Sequence, residues 1–303
     1  PGPSLMVAAH SDEIGCMVKS VEKNGYIRFE KVGGTIDSLL VGRQMCVNGH
    51  FGVVGVKAGH LMSEKERSEV KKHTELYIDV GVESAEEVKA MGIRVGDPIT
   101  YWPDLQEFTN TDRICGKALD DRIGCAILLH IFTELKASDF AGTVYAVITV
   151  QEEVGLRGAT VAAHRLNPDI AIALDTMPAG DTPDISTTKE LPVLIGRGPV
   201  VQVMSGGGAR GNILHPAMKR LLIGLAEEEG IPHQVAILPG GTTDASAIHL
   251  VREGILAAAL TIPRRYSHSS VEVMDLNDAV NAKRMVETLI RRLGNVGDLS
   301  FLG

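Results

Sequence analysis

From residue 143 onward, short apolar runs alternate with amphipathic segments in a fixed order. Residues 143–150, 169–174, 233–238 and 255–262 have the length and apolar character of buried strands. Residues 156–165, 216–229 and 244–252 carry the helical period between them, and a last amphipathic helix is expected over 275–293, opened by Asp275 as its cap. A helix between successive strands supplies the crossover that parallel pairing needs. The pattern therefore predicts an α/β fold, a mostly parallel sheet with helices on both faces. Residues 4–9, Ser-Leu-Met-Val-Ala-Ala, read as one more buried strand.

Residues 15–103 interrupt this pattern. They are rich in Val, Gly and charged residues, in short alternating stretches. Runs 16–21 and 26–32, on either side of Glu22-Lys23-Asn24-Gly25, predict a hairpin, and 84–91 predicts one short helix. The strand at 4–9 has no partner near it in sequence and belongs with the later strands. A small β-rich domain, 15–103, is then inserted into an α/β domain made of 1–14 and 104–303. Many short strands leave edges that need pairing or cover, so the insert is expected to mediate self-association.

Four strands of the α/β part each lead into a polar island. His10-Ser11-Asp12-Glu13 follows 4–9, Glu152-Glu153 follows 143–150, Asp175-Thr176 follows 169–174, and Tyr266-Ser267-His268-Ser269 follows 255–262. Asp120-Asp121 opens the helix expected over 121–135. Ligands of open α/β sheets bind beyond the carboxyl ends of the strands, so all five islands can meet on one edge. Two His and several carboxylates gathered there suit a divalent metal site, with one Glu spare to handle a proton. Singly, each island has a plainer role: Asp120 or Asp121 as a helix cap, Glu152-Glu153 as a solvated turn.

Other functions find less support. The net charge of −8 argues against nucleic-acid binding and against an acidic membrane surface, and no apolar run is long enough to span a bilayer. Cys16, Cys46, Cys115 and Cys125 show no paired spacing, which suits a reducing, cytoplasmic setting. The run Ser205 to Gly211 lacks the Lys-Ser/Thr tail of a phosphate loop, and Gly196-Arg197-Gly198-Pro199 lacks the helix start of a dinucleotide site.

The islands Ala-His-Ser-Asp-Glu-Ile-Gly, Lys-Ala-Leu-Asp-Asp-Arg-Ile-Gly, Gln-Glu-Glu-Val-Gly-Leu-Arg-Gly-Ala, Ala-Leu-Asp-Thr, Gly-Gly-Thr-Thr-Asp-Ala and Arg-Tyr-Ser-His-Ser, in that order, resemble the tetrahedral (TET) aminopeptidases, relatives of the glutamyl and deblocking aminopeptidases. The resemblance implies that Asp120 bridges two divalent ions, zinc or cobalt and possibly manganese. It places His10 and Asp175 at one ion, Glu153 and His268 at the other, and Glu152 as general base. Asp12 would orient His10. It also implies a cis peptide between Asp120 and Asp121, substrates that are peptides with a free N-terminus, and assembly through dimers into a dodecamer, with 15–103 in dimerisation and substrate access. Family members carry a substantial segment before the first His island, so a longer chain is expected. Alternatives are a related two-metal deacylase or carboxypeptidase, and a glycosidase, since some relatives carry a cellulase label.

Overall fold

The computed structural model describes residues 2–296. Strand Ser4–His10 pairs in parallel with Thr143–Thr149 on one side and Ile170–Pro178 on the other. Ile170–Pro178 pairs in parallel with Leu256–Arg265. The strand nearest the start of the sequence thus lies inside the sheet, between partners more than a hundred residues away.

Side-chain alternation along these strands builds two cores. Leu5, Val7 and Ala9 join Ile170, Ile172 and Leu260 under helices Leu119–Glu134, Pro216–Glu228 and Leu276–Arg291. Met6 and Ala8 point the other way, joining Ala171, Ala173, Ala257 and Ala259 under helices Arg157–Leu166 and Ala245–Ile248. Branched residues fill the first layer, while alanines in the second let Ala159 and Ala163 pack close to the sheet. Helices cover both faces, as the alternation predicts.

The sheet is not mostly parallel, and that expectation needs correcting. Among the described residues, four strand pairings are parallel and four antiparallel. The reason lies in the short links. Leu256–Arg265 returns to Glu272–Asp275 through residues 266–271, and Leu105–Glu107 to Arg113–Gly116 through 108–112. Parallel pairing needs a crossover of about a dozen residues or more, so these links force hairpins. Val200–Ser205 is also antiparallel to Leu256–Arg265. The helix expected over 244–252 is a single turn, Ala245–Ile248, with Arg252 in the left-handed region beyond it.

Gly15–Val21, Ile27–Val32, Gln44–Val47, His50–Gly55, Tyr77–Asp79 and Pro98–Tyr101 close into a six-stranded barrel. It has its own core, including Val18, Ile27, Phe29, Val47, Ile78 and Ile99. Closure pairs the strands with one another and removes the unpaired edges that the sequence pattern suggested. Among the described residues no helix is long and apolar enough to cross a membrane.

Candidate metal centre

The parallel half of the sheet aims its carboxyl ends at one point. His10 is the last residue of its strand, Asp175 lies in Ile170–Pro178, and Glu152 and Glu153 follow Thr143–Thr149. His268 sits in the turn after Leu256–Arg265. Asp120 lies at the start of helix Leu119–Glu134, and its peptide bond to Asp121 is cis. The backbone is strained around this point: Ala118, Gln151 and His268 have φ of 56°, 63° and 58°. Residues with a Cβ pay of order 1 kcal/mol or more for that region, and such sites cluster where geometry serves function.

Asp120 stands between the two histidines. Its Oδ1 is 3.2 Å from His10 Nε2 and its Oδ2 is 3.5 Å from His268 Nε2. His10 Nε2 also lies 3.9 Å from Asp175 Oδ1, and His268 Nε2 lies 3.7 Å from Glu153 Oε2. Donor atoms of His10, Asp120 and Glu153 all fall within 4.8 Å of one another. The seven residues singled out in the sequence, including Glu152 and Asp12, therefore gather in one place.

Several contacts hold this arrangement. His10 Nδ1 faces the Asp12 carbonyl at 3.1 Å, closer than the Asp12 carboxylate at 3.6 Å. The carboxylate instead accepts from the backbone N–H of Glu152 at 3.1 Å and of Glu153 at 3.2 Å, tying the two strand ends together. Asp121 accepts from the N–H of His10 and of Gly124, the capping role considered for that pair.

Sequence reasoning missed Glu272, Arg264 and Gly34. Glu272, 2% exposed, accepts from the backbone N–H of Asp120 at 3.2 Å and of His268 at 3.0 Å. It also takes a close hydrogen bond from Arg264 Nη1, whose Nη2 lies 2.6 Å from Asp120 Oδ2. An arginine at the end of an apolar run was the available signal for this buried pair. Gly34, from the barrel, lies against the His268 ring.

The electrostatics describe a surplus of negative charge. Burial, reinforced by neighbouring Asp175, pushes Glu152 up to about 10. Burial and Asp120 push Glu153 up to about 7. Burial and then the charge of Asp120 raise Asp175 well above the usual carboxylate range, and burial and then the charge of Asp175 do the same to Asp121. Burial would lower His10, but Asp12, Asp120 and Asp175 outweigh it and raise its pKa. Asp120 Oδ1 and Glu153 Oε1 are buried without a hydrogen-bond partner. Buried carboxylate oxygens left without donors, facing imidazole nitrogens, fit a cationic occupant.

A cavity of about 360 Å³ opens over this cluster, lined further by Leu156, Thr176, Pro178, Leu238 and Thr242. Residues 179–190 and 204–214 contribute nothing to its lining.

Known proteins share this fold and resemble this sequence. The structure of aminopeptidase APDkam598 from the archaeon Desulfurococcus kamchatkensis matches with a TM-score of 0.91 at 37% identity, covering 99% of this chain and 84% of that one. The Pyrococcus horikoshii TET1 peptidase, which can assemble into a tetrahedron or a large octahedral shell, matches with a TM-score of 0.83 at 31% identity, covering 96% of this chain and 84% of that one. The lysyl aminopeptidase of Pyrococcus furiosus is 34% identical over 297 residues, 96% of this chain and 82% of its own length. The family model for M42 glutamyl aminopeptidases matches residues 1–285, and the chain belongs to that family.

Proposed function

We propose that this aminopeptidase holds two divalent metal ions and uses them to cut single residues from peptides with a free N-terminus. His10 and Asp175 would hold one ion, Glu153 and His268 the other, with Asp120 shared. The carrying observation is the position of Asp120, whose two oxygens face His10 and His268 at 3.2 and 3.5 Å. Bound there, the ions supply Lewis acidity toward the scissile carbonyl and the attacking water.

Glu152 is assigned the proton transfer. It is 8% exposed beside the cluster and its backbone is fixed by Asp12. Burial keeps its carboxyl above the usual range, which suits a base working near neutral pH once the charge of Asp175 is neutralised. Its carboxylate takes the proton of the attacking water and passes it to the leaving amine nitrogen. Asp12 holds His10 and the Glu152-Glu153 backbone in place.

Imidazole nitrogens with carboxylate oxygens suit zinc, cobalt or manganese, and zinc or cobalt is the proposed pair. Elemental analysis after dialysis against each metal should find two ions per chain, lost together with turnover of aminoacyl chromogenic substrates on chelation. One ion bound away from Asp120 would refute the scheme.

Residues 1–14 and 104–303 are read as the catalytic domain, and 15–103 as a domain for dimerisation and substrate access. With the barrel edges closed, exposed side chains must carry that contact. Phe51, 48% exposed, packs edge-to-face on Trp102 at 5.0 Å and is the first candidate. The P. horikoshii relative can assemble into a tetrahedron or a large octahedral shell, and the PhTET1-12s structure holds a dodecamer; both support the reading that this chain assembles into a dodecamer, with dimers as the proposed building unit. If Phe51→Glu leaves the mass by light scattering unchanged, the barrel face is not that contact. A cytoplasmic location belongs to the same reading.

A further inference from the structure

The cavity over the carboxylate cluster is about 360 Å³, near the small end of ligand pockets, with room for one amino-acid side chain beside the bond being cut. Its charged lining is Asp120, Glu152, Glu153, Asp175, Arg264 and His268. On the metal-dependent reading above, each of these is already committed. Four carboxylates balance the four positive charges of two divalent ions, so the pocket keeps no strong field of either sign. Arg264, the one permanent cation in the lining, is 3% exposed; its Nη1 and Nη2 are bonded to Glu272 and Asp120, and its Nε, though without a partner, is buried out of reach of the cavity.

The rest of the lining carries no charge and forms an uncharged wall of Leu156, Thr176, Pro178, Leu238 and Thr242, with bare peptide at Gly240 and Gly241. The charged residues next along the chain do not intrude. Arg265 donates to Asp181 from Nε at 2.9 Å and from Nη2 at 2.7 Å, and the pair is spent on itself. A Glu or Asp side chain seated against this wall loses hydration and finds no free cation. A Lys or Arg finds no free carboxylate. Unpaired charge is costly to bury, whereas each methylene buried against such a wall strengthens binding roughly fourfold.

We propose that the enzyme selects uncharged, apolar N-terminal residues of middle size, the leucine and methionine class, through the wall of Leu156, Pro178, Leu238 and Thr242. This deepens the aminopeptidase reading and rests on it.

The test is a panel of leucyl, methionyl, glutamyl and lysyl p-nitroanilides with the zinc- or cobalt-loaded full chain. The leucyl and methionyl substrates should exceed both charged ones in kcat/KM by about tenfold or more. A glutamyl or lysyl substrate in the lead overturns the selectivity while leaving the aminopeptidase reading intact. Hydrolysis of none of the four overturns both. A readout free of turnover is thermal shift by the product amino acids: leucine should raise the unfolding midpoint more than glutamate or lysine at equal concentration, and the reverse order counts against the proposal. Thr242 is exposed, so Thr242→Asp tolerates folding and installs an uncommitted carboxylate on the wall. It should raise the lysyl-to-leucyl ratio about threefold, the scale of an exposed ion pair. An unchanged ratio in a folded variant removes this wall from substrate contact and overturns the proposal.

Discussion

Gly34 of the barrel lies so close to His268 that a Cβ added to it would stand 2.4 Å from the imidazole Nδ1. Backbone from the inserted barrel thus forms part of the wall behind a candidate metal ligand, and only hydrogen fits at that position. Gly34→Ala should push the ring out of line with Asp120 and Glu153. Weakening of metal binding by about 10–100-fold is expected, the usual cost of disturbing what orients a ligand. Titration calorimetry on the metal-free protein checks it, with circular dichroism to confirm that the variant folds. Native metal affinity in the folded variant would sink the idea.

The adjacent pair Glu152 and Glu153 should separate under conservative substitution. Side chains next to each other on an extended segment diverge, so the two cannot easily serve one ion. Glu152→Gln keeps the shape but cannot accept a proton, and turnover should fall on the order of 10²–10⁴-fold with metal content near that of the native protein. Glu153→Gln should lose metal together with activity. Near-normal turnover in Glu152→Gln, or equal metal loss in both variants, would reverse the assignment.

Removing the metal should weaken the fold as well as the activity. Five acidic groups crowd the site, and Asp120 Oδ1 and Glu153 Oε1 have no protein donor. An ion at a hundredfold over its Kd stabilises by about 2.7 kcal/mol, which lowers the melting midpoint by about 5 °C or more when the ion is withdrawn. Melts with chelator, then with excess zinc or cobalt restored, measure this. Overlapping curves would mean that the cluster relaxes without a cation.

The Arg265–Asp181 pair gives a pH signature. Burial pushes the Asp181 carboxyl up, but the two hydrogen bonds and the charge of Arg265 outweigh it and hold the pKa below its ordinary value. A group with a depressed folded pKa contributes its full stability above the unfolded value, and loses it as pH falls through the folded one. Arg265→Met should cost about 1 kcal/mol at pH 7, and the two unfolding curves should converge as pH drops below about 4. A difference that stays constant from pH 7 to 3 would show that packing, not charge, is what the substitution removes.

The strands and the candidate ligands at their ends were legible because each obeys a local rule. An apolar run ending in His10, or in Glu152-Glu153, announces a buried strand whose carboxyl end carries chemistry. What stayed hidden depends on return paths. Glu272 reaches Asp120 across 152 positions, and nothing near it in sequence hints at that bond. The direction of Glu272–Asp275 is set by the length of the link from Arg265, which periodicity does not register. Gly196-Arg197-Gly198 shows the same limit. Its glycines do cradle an anion, but the anion is the protein's own Asp278, which accepts from Gly196 N and Gly198 N at 2.6 Å each.

The placement of Ser4–His10 between Thr143–Thr149 and Ile170–Pro178 also orders events during synthesis. A ribosome delivers this strand before the whole barrel, yet both of its partners emerge more than a hundred residues later. The barrel can close on its own contacts while the strand waits as an exposed apolar ribbon. Such long-range pairing is slow and leaves sticky surface in the open, the condition under which nascent chains need a chaperone. His10 is attached to that ribbon and His268 lies beyond the last parallel strand, so the candidate metal centre joins two ends of the chain and can form only after about residue 272 has left the exit tunnel.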